Sequence, residues 1–352
     1  MTFQTEFALR IAPMRIRFGT PAATAVAEEL ATFGSRRALL ISTASQDNNA
    51  RAFAAAVGDN IVEVYAGAKM HTPVEVTANA VKFAISIGAD CLVALGGGSA
   101  IGLSKALALH TDLPQIVVPT TYAGSEATAI LGQTEAGKKT TITSPKVQPE
   151  VIIYDPTLVA TLPIPLTVTS GLNAMAHAAE ALYARDRNPL TATLAMQGLQ
   201  AMLLGLPQVV EKPADLVARG RTQYGAFLCG TVLGQVGMSL HHKLCHTLGG
   251  GFDLPHAETH AVLLPHTVAY NNGAEGLDPL DEILGGPPGQ MLRAFAKSLN
   301  APLALRDLGM KESDLDRAAD LATQNPYWNP RPVTREPLKA LLQRAWIGDP
   351  PQ

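Results

Sequence analysis

The sequence predicts an α/β N-terminal domain followed by an all-α C-terminal domain. Three observations carry this expectation. Short apolar runs such as Arg37–Ile41 (RALLI) and Cys91–Leu95 (CLVAL) alternate with segments of helical period as far as Tyr154, which is the pattern of a parallel sheet buried on both faces. Beyond Leu166 no convincing buried-strand run recurs, and long apolar-periodic segments follow. Between the two regimes, Asp155-Pro156-Thr157 and Pro163–Pro165 break the pattern, so the domains are drawn as residues 1–160 and 161–352.

Taken in order, Ile16–Phe18 reads as a short strand ending at Gly19, and Pro21–Phe33 as a helix stopped by Gly34. Arg37–Ile41 is the first buried strand and ends in Ser42-Thr43; Asn60–Tyr65 is a further strand. A helix is expected over Val74–Ile87, closing at Gly88. Cys91–Leu95 runs directly into Gly96-Gly97-Gly98-Ser99 and a helix through Lys105. Gln115–Val118 leads into PTTYAGSEAT, and Val151–Tyr154 is the last clear strand. The helical half is expected to hold Leu172–Tyr183, opened by Thr169-Ser170 as capping residues, then Pro189–Leu203, Ala214–Val232 and Glu336–Trp346. GGPPG at Gly285–Gly289 marks a loop, and three prolines keep NPYWNPRPVTRE, from Asn325, out of any helix.

Composition excludes several function classes. The 352 residues suffice for two substantial cores, and 47% hydrophobic against 16% charged content describes a compact chain. A net charge of −3 without a basic run argues against a phosphate-tracking nucleic-acid surface. Three cysteines without CxxC spacing suit a reducing compartment rather than a disulfide scaffold. The N-terminus lacks a secretion pattern and no apolar stretch is long enough for a bilayer, so a cytoplasmic location and no membrane partner are expected.

Two kinds of stretch carry chemistry. Glycines placed after a buried strand and before a helix let backbone N–H groups approach a pyrophosphate, with the helix N-terminus adding a favourable dipole. GGGSAIG departs from GxGxxG, so that motif alone is a weak signal. The hydroxyl-rich loop Thr120–Ser125 also follows a strand, and two such loops suit a dinucleotide. The second stretch is His241–His266, HHKLCHTLGGGFDLPHAETHAVLLPH, which holds six of the nine histidines. His242 and His246 share a helix face at four-residue spacing, as do Asn173 and His177 upstream. Gly249-Gly250-Gly251 is expected to allow a sharp turn that brings His256 back towards them. His260 and His266 read as structural or supporting, and Cys245, off the His242–His246 face, as no nucleophile.

Together GGGSxxGxxKA, PTTxxGSE, GLNAMAHAxEALYA and HxxxHTLGGxxxxPHxxxxAVLLPHxxxYN resemble the iron-containing alcohol dehydrogenase family, in order and over almost the whole chain. The family shares its two-domain fold, an α/β dinucleotide-binding domain and a helical catalytic domain, with glycerol dehydrogenase and dehydroquinate synthase. Asn173 within GLNAMAH, ALYARDRNP and NPYWNPRPVTRE resemble its maleylacetate reductase branch. The resemblance implies an oxidoreductase that uses NADH or NADPH on a small dicarboxylate, maleylacetate, without metal and as a homodimer. The alternative is an iron- or zinc-dependent alcohol or glycerol dehydrogenase.

In metal-dependent members an Asp and three His hold the ion, and by resemblance those positions are Asn173, His177, His242 and His256. His246 matches a histidine near the nicotinamide. An amide at 173 offers a dipole where a carboxylate would offer charge, which weakens a cation site. The catalytic set implied is therefore His242 and His246, with His177, Asn173 and His256 shaping the pocket and no metal. His241, Lys243 and Arg331 are candidates for the substrate carboxylates. By resemblance Gly96, Gly97, Gly98 and Ser99 hold the pyrophosphate, Thr120, Thr121 and Ser125 the ribose and nicotinamide, and Lys139 lies near the ribose. Ser42-Thr43 stand where NAD-specific members carry an Asp that repels a 2′-phosphate, so Thr43 implies that NADPH is admitted as well.

Overall fold

The structure is a computed structural model that describes residues 7, 9, 13–19, 21–135 and 138–352, with backbone only for Lys138 and Lys139. Its contacts divide into two compact units, one of residues 11–162 and one built on 163–352.

The first unit is a doubly wound sheet. Strands β1 (Arg15–Phe18), β2 (Ala38–Thr43), β3 (Ile61–Ala68), β4 (Cys91–Gly96), β5 (Gln115–Pro119) and β8 (Val151–Tyr154) lie in the order β1-β8-β5-β4-β2-β3, every pair parallel. Helices α1 (Ala22–Phe33), α2 (Asp47–Val57), α3 (Val74–Ser86) and α4 (Gly98–Thr111) connect them. The apolar runs are explained by burial on both faces. Leu40, Val93 and Ile116 pack with Leu30 of α1 and Phe53 of α2, while Leu39, Ile41 and Leu92 pack with Ala80 of α3 and Leu103 of α4. Winding reverses between β2 and β4, so the carboxyl ends of these strands open on the crevice where such sheets take ligands. An antiparallel pair, β6 (Ile130–Glu135) and β7 (Lys138–Thr143), was not expected. Its sequence, ILGQTE and KKTTIT, is too polar to read as buried strand.

Among the described residues the second unit is built of helices and contains no strand, as expected. It comprises α5 (Ile164–Tyr183), α6 (Pro189–Glu211), α7 (Leu216–Leu233), α8 (Leu240–Phe252), α9 (His256–Tyr270), α10 (Asp278–Leu284), α11 (Pro288–Ser298), α12 (Leu315–Thr323) and α13 (Arg335–Ile347). Helix α5 is buried without interruption from Thr167 to Tyr183 and packs against α6, α7 and α9. A polar residue on it therefore faces protein whichever way it points. Leu244 and Leu248 of α8, Leu263 of α9, Ala318 of α12 and Leu342 of α13 form a second core.

Two local expectations are corrected. Thr169 and Ser170 do not cap α5, which begins at Ile164, five residues before Thr169. Their hydroxyls bond back to Pro165 O at 3.0 Å and Leu166 O at 2.6 Å, which satisfies them inside a helix. Nor do Gly249-Gly250-Gly251 make the turn; they lie in the last turn of α8, which runs to Phe252, and Asp253 in the left-handed region (φ 54°) ends it. Among the described residues no helix is long and apolar enough to cross a membrane.

Candidate active site

Within the first unit, the loops after β2, β4 and β5 carry the residues expected to hold a dinucleotide. Gly96 adopts φ +153°, and a Cβ there would lie 2.9 Å from that of Ala100. At Gly97 a Cβ would lie 2.7 Å from Thr121 Cγ2, so the two loops touch only because position 97 has no side chain. Around Gly98 the space is open. Helix α4 starts here with no side-chain cap, so its first amides, Gly98, Ser99 and Ala100, are left to an outside acceptor. This cradle fits a pyrophosphate. The buried Ser125 hydroxyl has no partner, and Thr120 N–H bonds Gly96 O at 3.0 Å. Thr43 closes β2, its hydroxyl 3.1 Å from that of Ser45, whereas Ser42 is spent on Leu95 O at 2.9 Å and cannot serve a ribose. Lys139 lies on β7 opposite Thr134, and its side chain falls outside the described residues.

Lys105 lies on α4, one residue after Ser104, in the GGGSxxGxxKA motif. Its ammonium is buried and shares its three N–H donors among four acceptors, Ser125 O (2.6 Å), Thr128 O (2.7 Å), Thr128 Oγ1 (2.9 Å) and Ile130 O (3.0 Å). It thereby ties the loop after β5 to α4. Burial pulls it down to about 7, against which the carboxylate of Glu126 pushes up.

In the helical unit the predicted histidines gather. Ring centroids are 5.1 Å apart for His177 and His242, 6.1 Å for His242 and His246, and 4.4 Å for His256 and His260. His260 also lies 5.2 Å from His242 and 6.4 Å from His177, so a residue assigned a supporting role sits among the candidates. Asn173, one turn before His177 on α5, has a buried Oδ1 without partner.

Hydrogen bonding fixes the ring protons. Glu180 accepts from Ser239 N (2.9 Å), His241 N (2.7 Å) and His242 Nδ1 (2.7 Å). His242 therefore carries its proton on Nδ1 and leaves Nε2 as a lone pair, buried and without partner. The Thr267 hydroxyl points at Leu263 O (3.0 Å) and Leu264 O (3.2 Å), so its oxygen accepts from His241 Nδ1 at 3.0 Å. His241 Nε2 then accepts from His260 Nδ1 at 2.9 Å, and His260 Nε2 is a second lone pair without partner. His246 meets Tyr327 Oη at 3.0 Å. Burial, reinforced by neighbouring imidazoles, holds His177, His241 and His260 well below the usual histidine range and hence uncharged.

The donor set at the positions expected of a metal's ligands is three imidazoles and an amide, a weaker cation site than one that includes a carboxylate. Asn173 brings an amide where a carboxylate would bring charge, and the carboxylate of Glu180 already accepts from three N–H groups. Among the described residues, the group with metal-ligand atoms within 4.8 Å of one another is instead His241, Cys245 and His260. There the hydrogen bond from His260 to His241 already occupies the space an ion would take.

The three candidates for the substrate carboxylates all have partners within the protein. His241 is buried with both ring nitrogens engaged. Arg331 stacks on Tyr270 at 4.2 Å and bonds Tyr270 O at 3.1 Å, and Lys243 donates to Gln324 O at 2.8 Å. All three brace the protein. Glu180, missed in the sequence, had a signal: it stands seven residues after Asn173 and three after His177, on the same face of α5. Tyr327 had none, being 81 residues from its partner.

A strand-flanked glycine cradle and a histidine-rich helical unit define the class as a nicotinamide-dependent dehydrogenase of the two-domain kind. Residues 13–156 match the iron-containing alcohol dehydrogenases, and residues 167–346 match the C-terminal part of the Fe-containing alcohol dehydrogenase family. The chain belongs to this family. It is 58% identical over 348 residues to the maleylacetate reductase of Rhizobium sp. strain MTP-10005, covering 98% of this chain and 99% of the relative. It is 48% identical to that of Pseudomonas sp. strain P51, covering 96% and 97%. The crystal structure of maleylacetate reductase from Agrobacterium tumefaciens superposes with a TM-score of 0.96 at 56% identity, covering 99% of this chain and 100% of the other.

Proposed function

We propose that this chain reduces the carbon–carbon double bond of maleylacetate to give 3-oxoadipate, using NADH or NADPH and no metal. The likeness to a maleylacetate reductase over 98% of the chain carries this reading. The amide of Asn173, where a carboxylate would lend charge to a cation, supports the absence of metal. Residues 1–160 hold the dinucleotide: Gly96, Gly97, Gly98 and Ser99 its pyrophosphate, Thr120, Thr121 and Ser125 its ribose and nicotinamide, Lys139 the ribose, and Thr43 the end where a 2′-phosphate is tolerated. Residues 161–352 carry the substrate site.

When bound, the dihydronicotinamide supplies a hydride. The alkene carbon β to the ketone of maleylacetate accepts it, and the displaced electron pair becomes an enolate on the ketone oxygen. Protonation of the α carbon completes 3-oxoadipate. His242 and His246 stabilise the enolate and deliver the proton. Glu180 orients His242, while His177, Asn173 and His256 shape the pocket. An isolated carbonyl needs a Lewis acid more than this doubly activated alkene does. A cytoplasmic homodimer is the form in which the chain acts.

Mixing the protein with NADH and maleylacetate and identifying the product tests the reading. Loss of NADH absorbance with formation of 3-oxoadipate is expected. Failure to oxidise NADH, with turnover of glycerol or simple alcohols instead, supports the second reading, a metal-dependent alcohol dehydrogenase, which the retention of His177, His242 and His256 favours. For the cofactor, kcat/KM values for NADH and NADPH are expected within about a thousandfold, ~4 kcal/mol, of each other.

A further inference from the structure

The segment Gln324–Thr334 has no helix, yet it is fastened to α8 and the end of α9 along its length. Lys243 Nζ donates to Gln324 O at 2.8 Å. Asn329 and Asn271 exchange amide hydrogen bonds of 2.9 and 2.7 Å. Tyr270 Oη donates to Pro332 O at 2.7 Å, and the Arg331 guanidinium lies 4.2 Å from the Tyr270 ring. Asn325 enters the segment in the left-handed region at φ 48°, a conformation that costs a non-glycine residue energy and persists where the surroundings enforce it. What this rigid strap presents is Tyr327, whose hydroxyl lies 3.0 Å from His246 Nδ1 with the two rings edge-on at 75°.

A phenol at neutral pH carries its proton and donates it to an imidazole lone pair. If Nδ1 of His246 accepts, the ring's own proton sits on Nε2. One turn earlier on the same helix, Glu180 imposes the opposite arrangement, so that His242 offers a lone pair at Nε2. The two histidines share a face but present opposite hydrogen-bonding characters.

We propose that Tyr327 is a positioning residue that holds His246 in the Nε2–H form and so makes His246, rather than His242, the group that hydrogen-bonds the enolate oxygen and delivers the proton. The proposal rests on the maleylacetate reading above. Proton balance is local: His246 gives the Nε2 proton to the substrate, Nδ1 takes the phenolic proton, and the half-exposed tyrosine regains one from water.

Tyr327→Phe removes only the hydroxyl and keeps the ring. Its kcat for maleylacetate is expected to fall about thirtyfold while KM changes less than about threefold, the split that marks an interaction made in the transition state. Histidine-selective ¹⁵N NMR reads the tautomer without substrate or activity, with the His246 signals assigned by their loss in His246→Asn. Nε2–H is expected in the native protein and a tautomer mixture in Tyr327→Phe. Asn329→Ala, which loosens the strap but keeps the hydroxyl, should leave the tautomer in place. An Nδ1–H tautomer in the native protein overturns the proposal, as does a Tyr327→Phe enzyme with native kcat. So does a Tyr327→Phe loss confined to KM, or one that Asn329→Ala reproduces in full with the tautomer intact. If the native protein shows Nε2–H at His246 but ignores maleylacetate, the substrate reading fails and the tautomer assignment survives.

Discussion

The glycine cradle and the histidine cluster are built on different principles. Around Gly96–Ser99 the chemistry lies in the backbone: small residues clear space, and a helix start leaves its amides exposed. In the helical unit the chemistry lies in side chains whose ring protons are set by partners distant in sequence. Glu180 is 62 residues from His242, Thr267 is 26 from His241, and Tyr327 is 81 from His246. A backbone site tolerates neighbours that merely fit, whereas a relay of imidazoles is only as defined as its last partner. Substitutions should therefore act on affinity in the first region and on turnover in the second.

The sharpest way to break that contrast is Glu180→Gln. One end of the amide must then turn its own N–H towards the N–H groups of Ser239, His241 or His242, which disorders His242 in the pocket; kcat is expected to fall about a hundredfold, as when a partner that orients a site histidine is lost. A loss confined to KM, measured by steady-state kinetics, would put Glu180 outside the chemistry.

The next effect is on stability. Burial, with Arg293 and Arg344 nearby, lowers His266 to about 4. The unfolded chain, near 6.5, binds this proton first as pH falls, so the contribution is whole above about 6.5 and is lost towards 4, about 3 kcal/mol in all. His177, His241 and His260 act with the same sign. Stability from denaturant melts should fall with acid across that range, and His266→Gln should make the slope of stability against pH shallower by about one proton.

On the backbone side, Gly97→Ala forces Thr121 aside and is expected to raise KM for NADH about thirtyfold with kcat nearly unchanged. The smallest effect sharpens cofactor choice. Thr43→Asp, at the end of β2, should lower kcat/KM for NADPH about tenfold relative to NADH, by charge repulsion of the 2′-phosphate.

The contrast also explains what could be read from the chain. Buried parallel strands announce themselves as short apolar runs, and the cradle follows from Gly96-Gly97-Gly98 standing between strand and helix. His177, His242 and His246 were visible because four-residue spacing places side chains on one face. The triple glycine misled because glycine also fits helix interiors at a modest cost, and here the turn falls to Asp253. Polarity of KKTTIT hid the β6–β7 pair. The neutral relay through His241 and His260 depends on tertiary distances of about 3 Å, and spacing along the chain carries no trace of it.

Metal content and turnover, measured together, test the central claim most directly. After exhaustive dialysis against a chelator, the protein should oxidise NADH with maleylacetate at an undiminished rate while iron and zinc are present only in traces. An enzyme that loses activity as the ion leaves, and recovers it when iron or zinc is restored, would contradict the claim that imidazole protons do the work here.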